Sequence, residues 1–163
     1  MKNQDNVLPF RPMIDKLINR APQQPKPRLS ALIVENNDID GSALQQILDA
    51  LGFECVRRAQ STETISMLRA CKFDLVCVEI DPLGGLGLQV IRTARASDQN
   101  RAQPMIVTSR LSDYEARKQA IAMGADDYLL KPVNAGFLRS SLLNAIARRH
   151  ASASSGRSGP RDW

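Results

Sequence analysis

Between Ser30 and Ala147 the chain alternates short apolar runs with segments whose apolar residues recur at helical spacing, and few folds satisfy that pattern. Ala31–Val34 and Leu75–Val78 are continuous apolar runs, suited to strands buried on both faces. Met105–Val107, introduced by Pro104, and Tyr128–Leu130 are shorter candidates, and Phe53–Arg57 is a weaker one. Between the first two strands, Ile39, Ala43, Leu44, Ile47, Leu48 and Leu51 keep helical spacing and stop at Gly52. Thr62–Cys71, a stretch near Leu88–Ala96, Asp113–Met123 before Gly124, and Phe137–Ile146 read as four further helices. Strict strand–helix alternation predicts an α/β fold: a five-stranded parallel sheet, doubly wound, with helices on both faces. Such sheets bind ligands beyond the carboxyl ends of their strands, near the point where the winding reverses. The candidate functional residues are therefore those just after the strands: Glu35 and Asn36, Glu79, Ser109, and Lys131 with Pro132.

The ends differ from this middle. Net charge is +5, but residues 1–29 carry +4 and residues 148–163 carry +3, which leaves the region between them at −2. Basic ends suit a polyanionic partner, or serve only solubility. Residues 1–28 read as an extension, 29–147 as the domain, and 148–163 as a flexible arginine-rich tail. In the extension, Phe10, Met13, Ile14, Leu17 and Ile18 fall on one helical face, in a segment marginal by itself. Residues 21–28, Ala-Pro-Gln-Gln-Pro-Lys-Pro-Arg, form a stiff linker. Residues 151–162, rich in Ser, Gly, Pro and Arg, are expected to be disordered until bound. Cys55, Cys71 and Cys77 are an odd count without a CxxC pair, which favours reduced packing residues over metal ligands or disulfides. No apolar run approaches the roughly 20 residues of a membrane span, and the N-terminus lacks a secretory pattern, so the expected compartment is the cytoplasm.

Asp-Leu-Val-Cys-Val-Glu-Ile at 74–80, Gly84 and Gly87, Gly-Ala-Asp-Asp-Tyr at 124–128 and Lys131-Pro132 together resemble the CheY-like response-regulator receiver family, over about residues 30–147. In that family, two acids after the first strand and an aspartate after the third hold magnesium, and the aspartate accepts a phosphoryl group. A Thr or Ser after the fourth strand and a Lys after the fifth bind the phosphoryl oxygens. By this resemblance Ser109 and Lys131 are retained pocket residues, and Tyr128 stands at a switch-aromatic position, or simply packs.

The acids depart from the pattern. Glu35 is long, Asn36 is neutral, and Glu79 stands at the phosphoacceptor position. Its extra methylene moves the carboxylate by about 1.5 Å, and misplacement on that scale costs on the order of 100-fold in a positioned reaction. A Glu79–Lys131 ion pair is expected to fill the pocket, and neither a resident metal nor a conventional phosphorylation cycle is expected. In the loop that follows, Pro82 falls one residue early and Leu86 replaces a common acid. No Ser-His-Asp, Cys-His or paired-carboxylate arrangement is evident in the sequence, and His150, its only histidine, lies among arginines beyond the predicted core. A non-enzymatic role follows.

The tail adds Arg148, Arg149, Arg157, Arg161, Asp162 and Trp163, the only tryptophan. Arginine pairs with phosphates and with the O6/N7 edge of guanine. Aspartate accepts from guanine donors, and indole and guanidinium planes stack on bases. Cyclic di-GMP, with two guanines and two phosphates, uses this set of contacts. A degenerate receiver with such a tail resembles the Cle group of CheY-like cyclic di-GMP effectors. That resemblance implies cyclic di-GMP as a regulatory ligand and docking at the flagellar motor switch or cell pole. Three alternatives stand beside it: a pseudo-receiver that binds only proteins, a phosphoreceiver that uses Glu79, and a tail that binds nucleic acid without sequence preference.

Overall fold

The computed structural model describes residues 28–81 and 85–155. In chain order the elements are β1 Leu29–Val34, α1 Asp38–Ala50, β2 Phe53–Arg58, α2 Thr62–Ala70, β3 Leu75–Glu79, α3 Gly87–Ala96, β4 Met105–Ser109, α4 Tyr114–Ala122, β5 Asp127–Leu130 and α5 Ala135–Ser155. All strand pairs are parallel, in the order β2-β1-β3-β4-β5. This is the doubly wound sheet the alternation predicts. The winding reverses between β1 and β3, so a crevice opens beyond Val34 and Glu79.

Alternate residues of the central strands feed two cores. Leu32, Val34, Val76, Val78 and Val107 meet Ile65, Leu68, Val90 and Ile91 of α2 and α3 on one face. Ala31, Ile33, Cys77 and Ile106 meet Leu44 and Leu48 of α1 and Leu138 and Leu142 of α5 on the other. Every residue of β3 and β4 is buried, whereas the edge strands β2 and β5 are only partly covered. Continuous apolar runs thus mark the centre of the sheet, and the weaker Phe53–Arg57 pattern marks an edge. Of the cysteines, Cys77 is buried and Cys55 partly so, but Cys71 is exposed and is no packing residue. Burial pushes the Cys77 thiol up to about 12.

Two local features set the crevice. Asn37 caps α1: its Oδ1 accepts from the backbone N–H groups of Ile39 and Asp40 at 2.9 and 3.1 Å. The cap aims the first turn of α1, with Asp40, toward the strand ends. Gly87, the first residue of α3, lies so close to β3 that an added Cβ would overlap the carbonyl oxygen of Glu79. Gly87→Ala must push helix from strand and is expected to cost about 1–3 kcal/mol, read as a lower urea midpoint.

The last helix is longer than its apolar pattern suggests. The expected boundary at residue 147 falls inside α5, which continues to Ser155. The residues after Ala147 are mostly Ala, Arg and Ser, compatible with helix, and the first strong breaker is Gly156. Residues 151–155, expected to be disordered, are helical.

Candidate functional site

Four charged side chains converge at the carboxyl ends of β1, β3 and β5. Lys131 Nζ donates to Glu35 Oε2 and Glu79 Oε1, both at 2.6 Å, and to Asp40 Oδ2 at 3.1 Å. The Lys131 side chain is only 2% exposed, and those of Glu35, Glu79 and Asp40 are 3%, 10% and 17% exposed. Lys131 follows β5 directly, and its peptide bond to Pro132 is cis. The expected Glu79–Lys131 pair is present, but as one arm of a three-carboxylate cage.

Main-chain groups fix the acids. Glu35 Oε1 accepts from the Asn37 N–H at 3.0 Å, and Glu79 Oε2 from the Asn36 N–H at 3.3 Å. The Asn36 carboxamide turns away and accepts from the Gln60 N–H at 2.8 Å. Gln60 Nε2 in turn donates to the Glu79 carbonyl at 3.1 Å. Asn36 therefore supplies its backbone to the cluster, not its side chain. Outside the cage, Arg110 grips both oxygens of Asp40 at 2.9 and 2.7 Å.

The charges are unevenly placed. Three carboxylates face two cations, one of them the outer Arg110. Burial pushes the Glu35 carboxyl above the ordinary range, despite the hydrogen bond from Lys131. Burial also opposes charge on Glu79, but hydrogen bonds from Lys131, Glu35 and the Asn36 N–H outweigh it and hold this carboxyl low. Asp40 is held low in the same way: burial acts against its charge, and Lys131 and Arg110 prevail. Lys131 is raised, because the bonds to Glu35, Glu79 and Asp40 exceed its desolvation.

Oxygens of Glu35, Asp40 and Glu79 lie within 4.8 Å of one another, a spacing that suits a metal ion. They do not fit the magnesium of the receiver family as they stand. The Lys131 ammonium occupies the place a small octahedral dication needs, bonded to all three acids.

Ser109 lies at the end of β4 and is fully buried. Its hydroxyl donates to the Ile80 carbonyl at 2.6 Å and accepts from the Leu111 N–H at 3.1 Å, so main-chain groups engage it. Tyr128 is 4% exposed within the core, and its hydroxyl donates to the Leu111 carbonyl at 3.0 Å. Ser109 and Tyr128 thus pin both polar groups of Leu111 and hold the loop after β4. Leu86 precedes α3 as its N-cap residue without a side-chain capping bond. Pro82 and Gly84 lie outside the described residues.

At the opposite, amino edge of the sheet, Asp126 gathers a second cluster. Arg149 donates to Asp126 Oδ1 at 2.7 Å and to Oδ2 at 3.1 and 2.6 Å. Asp126 Oδ2 also accepts from Arg95 at 3.1 Å and from the Met105 N–H at 2.8 Å. Arg148 donates to the Asp126 carbonyl at 2.9 Å. Burial, with the nearby Arg149 charge, lowers Arg95 to about 10 despite Asp126. Arg148 and Arg149, read from sequence as ending the last helix and grouped with the flexible tail, are helical and engaged by Asp126. Arg157, Arg161, Asp162 and Trp163 lie outside the described residues. His150 is exposed near the end of α5.

Sequence reasoning missed Asp40, Arg110 and Gln60 at the carboxyl edge, and Asp126 and Arg95 at the amino edge. Asp40 had a usable signal: an acid in the first turn after a capping Asn points back toward the strand ends. Asp126 lies in the Gly-Ala-Asp-Asp-Tyr motif, but nothing in that motif points to Arg95, 31 residues earlier.

Comparison with known proteins agrees with this geometry. The chain is 28% identical over 121 residues to a cyclic di-GMP phosphodiesterase of Thermotoga maritima, an alignment over 74% of this chain and 32% of the relative. It is 24% identical over 105 residues to the polar-differentiation response regulator DivK of Brucella anthropi, over 64% of this chain and 85% of DivK. It thus spans about a third of the first relative and most of the second. Among solved structures, the receiver domain of sensor histidine kinase PA1611 from Pseudomonas aeruginosa, with magnesium in its active-site cleft, superposes with a TM-score of 0.64 at 22% identity. That match covers 74% of this chain and 98% of the other. The response regulator receiver domain model matches residues 31–143. With its β2-β1-β3-β4-β5 sheet and its lysine after β5, this chain belongs to the response regulator receiver domain family.

Proposed function

We propose that this chain is a non-enzymatic signalling adaptor whose receiver domain works without phosphorylation. Cyclic di-GMP engages the arginine-rich C-terminus, and the bound form docks on a protein partner, at the flagellar motor switch. The observation that carries this reading is the Lys131 cage. A glutamate stands at the phosphoacceptor position, and the lysine that would meet a phosphoryl group is bonded to Glu35, Asp40 and Glu79. An incoming phosphoryl donor would face a pocket already filled and carrying excess negative charge. Incubation with acetyl phosphate and magnesium is expected to leave the intact mass unchanged; an added phosphoryl group would overturn this part.

The nucleotide reading rests on the guanidinium groups of Arg148, Arg149, Arg157 and Arg161, with Asp162 and Trp163 as partners for guanine. The Thermotoga relative aligns over only a third of its own length and lends this chain no activity. Calorimetry tests the reading on two chains, the full one and one ending at Ser155. Ending at Ser155 keeps α5 and the Asp126 cluster whole, whereas ending at Ala147 would cut both. Micromolar binding by the full chain, lost in the shorter one, is expected; no heat from the full chain sinks the proposal. The hold of Asp126 on Arg149 favours a second reading, a pseudo-receiver that binds only proteins. On that reading, removing residues 156–163 leaves partner binding intact.

A further inference from the structure

A slot of about 380 Å³ opens at the amino edge of the sheet. Its apolar walls are Leu29, Phe53, Pro104, Leu142 and Ile146. Leu29 is 51% exposed and Ile146 36%, so this apolar surface is left uncovered. Two of the four polar residues at its rim are engaged already. Asp74 accepts from the Ser30 N–H at 2.8 Å and from its hydroxyl at 3.1 Å, and Arg149 is bonded to Asp126. Such a lining suits apolar side chains better than a polar small molecule.

We propose that the chain's own N-terminal segment fills this slot. Pro12 suits the first position of a helix, after which Met13, Ile14, Leu17 and Ile18 recur at i, i+1, i+4 and i+5 as an apolar stripe, with Phe10 just before the start. The chain enters the domain at Leu29, which is itself a wall of the slot, so the segment is tethered beside its site. Residues 19–28 reach about 30 Å when extended, enough to lay a short helix anywhere along the amino edge. The three prolines of that linker disfavour its pairing as an extra strand. A helix this short is marginal in water. The ten-residue tether, however, raises its local concentration along the amino edge, so a weak apolar contact is populated more than it would be between separate molecules. The seated helix would lie against the C-terminal half of α5, beside Arg149, and stiffen the turns that carry the arginines.

Hydrogen exchange on the full chain tests this. Amides of residues 10–18 are expected to exchange at least tenfold more slowly in the wild type than in an Ile14→Asp/Leu17→Asp variant, whose changes lie outside the receiver core. The same variant should speed exchange in the last turns of α5. Ile146→Lys, at the slot wall, should release residues 10–18 while β3 and β4 stay protected. Exchange of residues 10–18 at unstructured rates in the wild type would overturn the proposal. So would protection that survives Ile146→Lys. Protection that disappears on dilution would overturn it in favour of a second copy of the chain.

Discussion

Lys131→Met is expected to destabilise the domain by about 3 kcal/mol at neutral pH, the largest loss for any single change at the carboxyl edge. Breaking a buried ion pair from one side leaves the partner charge uncompensated, at a typical cost of about 3–5 kcal/mol. Here three carboxylates lose their shared cation at once, which pushes the cost up. Asp40 opens partly to solvent and keeps Arg110, which brings it down toward the low end. A drop in the urea midpoint of about 2 M, with unchanged slope, is the expected reading for a domain of this size. Glu79→Gln should cost much less, because Lys131 retains Glu35 and Asp40 and the shape is kept.

The variant also has a distinctive pH response. In the wild type, Glu79 and Asp40 are held below their ordinary values. Their contribution is fully present above the ordinary carboxylate range and is lost as pH falls through the lowered folded values. Glu35 runs the other way: its raised value means that the native state takes up a proton first, which partly offsets that loss. Lys131 is raised, so its contribution is present below its ordinary value and fades only in strong alkali. Without Lys131, the acids repel one another and all rise. The native state then binds more protons than the unfolded chain, so stability increases as pH falls from 7 to 5. Urea midpoints at several pH values check this, and parallel pH profiles for the two proteins would contradict the cage.

Much of this architecture was legible because its causes are local. Buried parallel strands need continuous apolar runs, and Ala31–Val34 and Leu75–Val78 supply them. Glu79 and Lys131 were readable because residues next to a strand's carboxyl end have one place to go. Asp40 was harder: its position depends on how Asn37 aims the first turn of α1, not on the strand before it. The C-terminal boundary failed for a different reason. Apolar periodicity reports where a helix packs, and α5 outlasts its packing by using Arg148 and Arg149 against Asp126. A run of arginines reads as a solvated tail unless its acid partner is known, and that partner lies 23 residues upstream of Arg149.

Asp126→Ala tests that partnership at the amino edge, with an expected loss of about 3 kcal/mol. The Asp126 side chain is 11% exposed and accepts from Arg95, Arg149 and the Met105 N–H. Alanine strips all three. Arg95, 17% exposed, keeps carbonyl partners at Gly124 and Gln103, both at 2.7 Å, but loses its countercharge. The Met105 N–H at the start of β4 is left without its acceptor, a loss worth about 1–3 kcal/mol in a buried setting. Arg149 can swing into water, which softens the total. Arg149→Ala should therefore cost less than Asp126→Ala, since Asp126 retains Arg95 and the backbone donor. The two variants also separate stability from ligand binding. Asp126→Asn keeps the acceptor but releases the charge on Arg149, so it should weaken the fold and, on the proposed nucleotide reading, tighten cyclic di-GMP several-fold. A variant that weakens the fold and leaves cyclic di-GMP binding unchanged would mean that Arg149 serves the fold alone, and that any nucleotide contact lies wholly beyond Ser155.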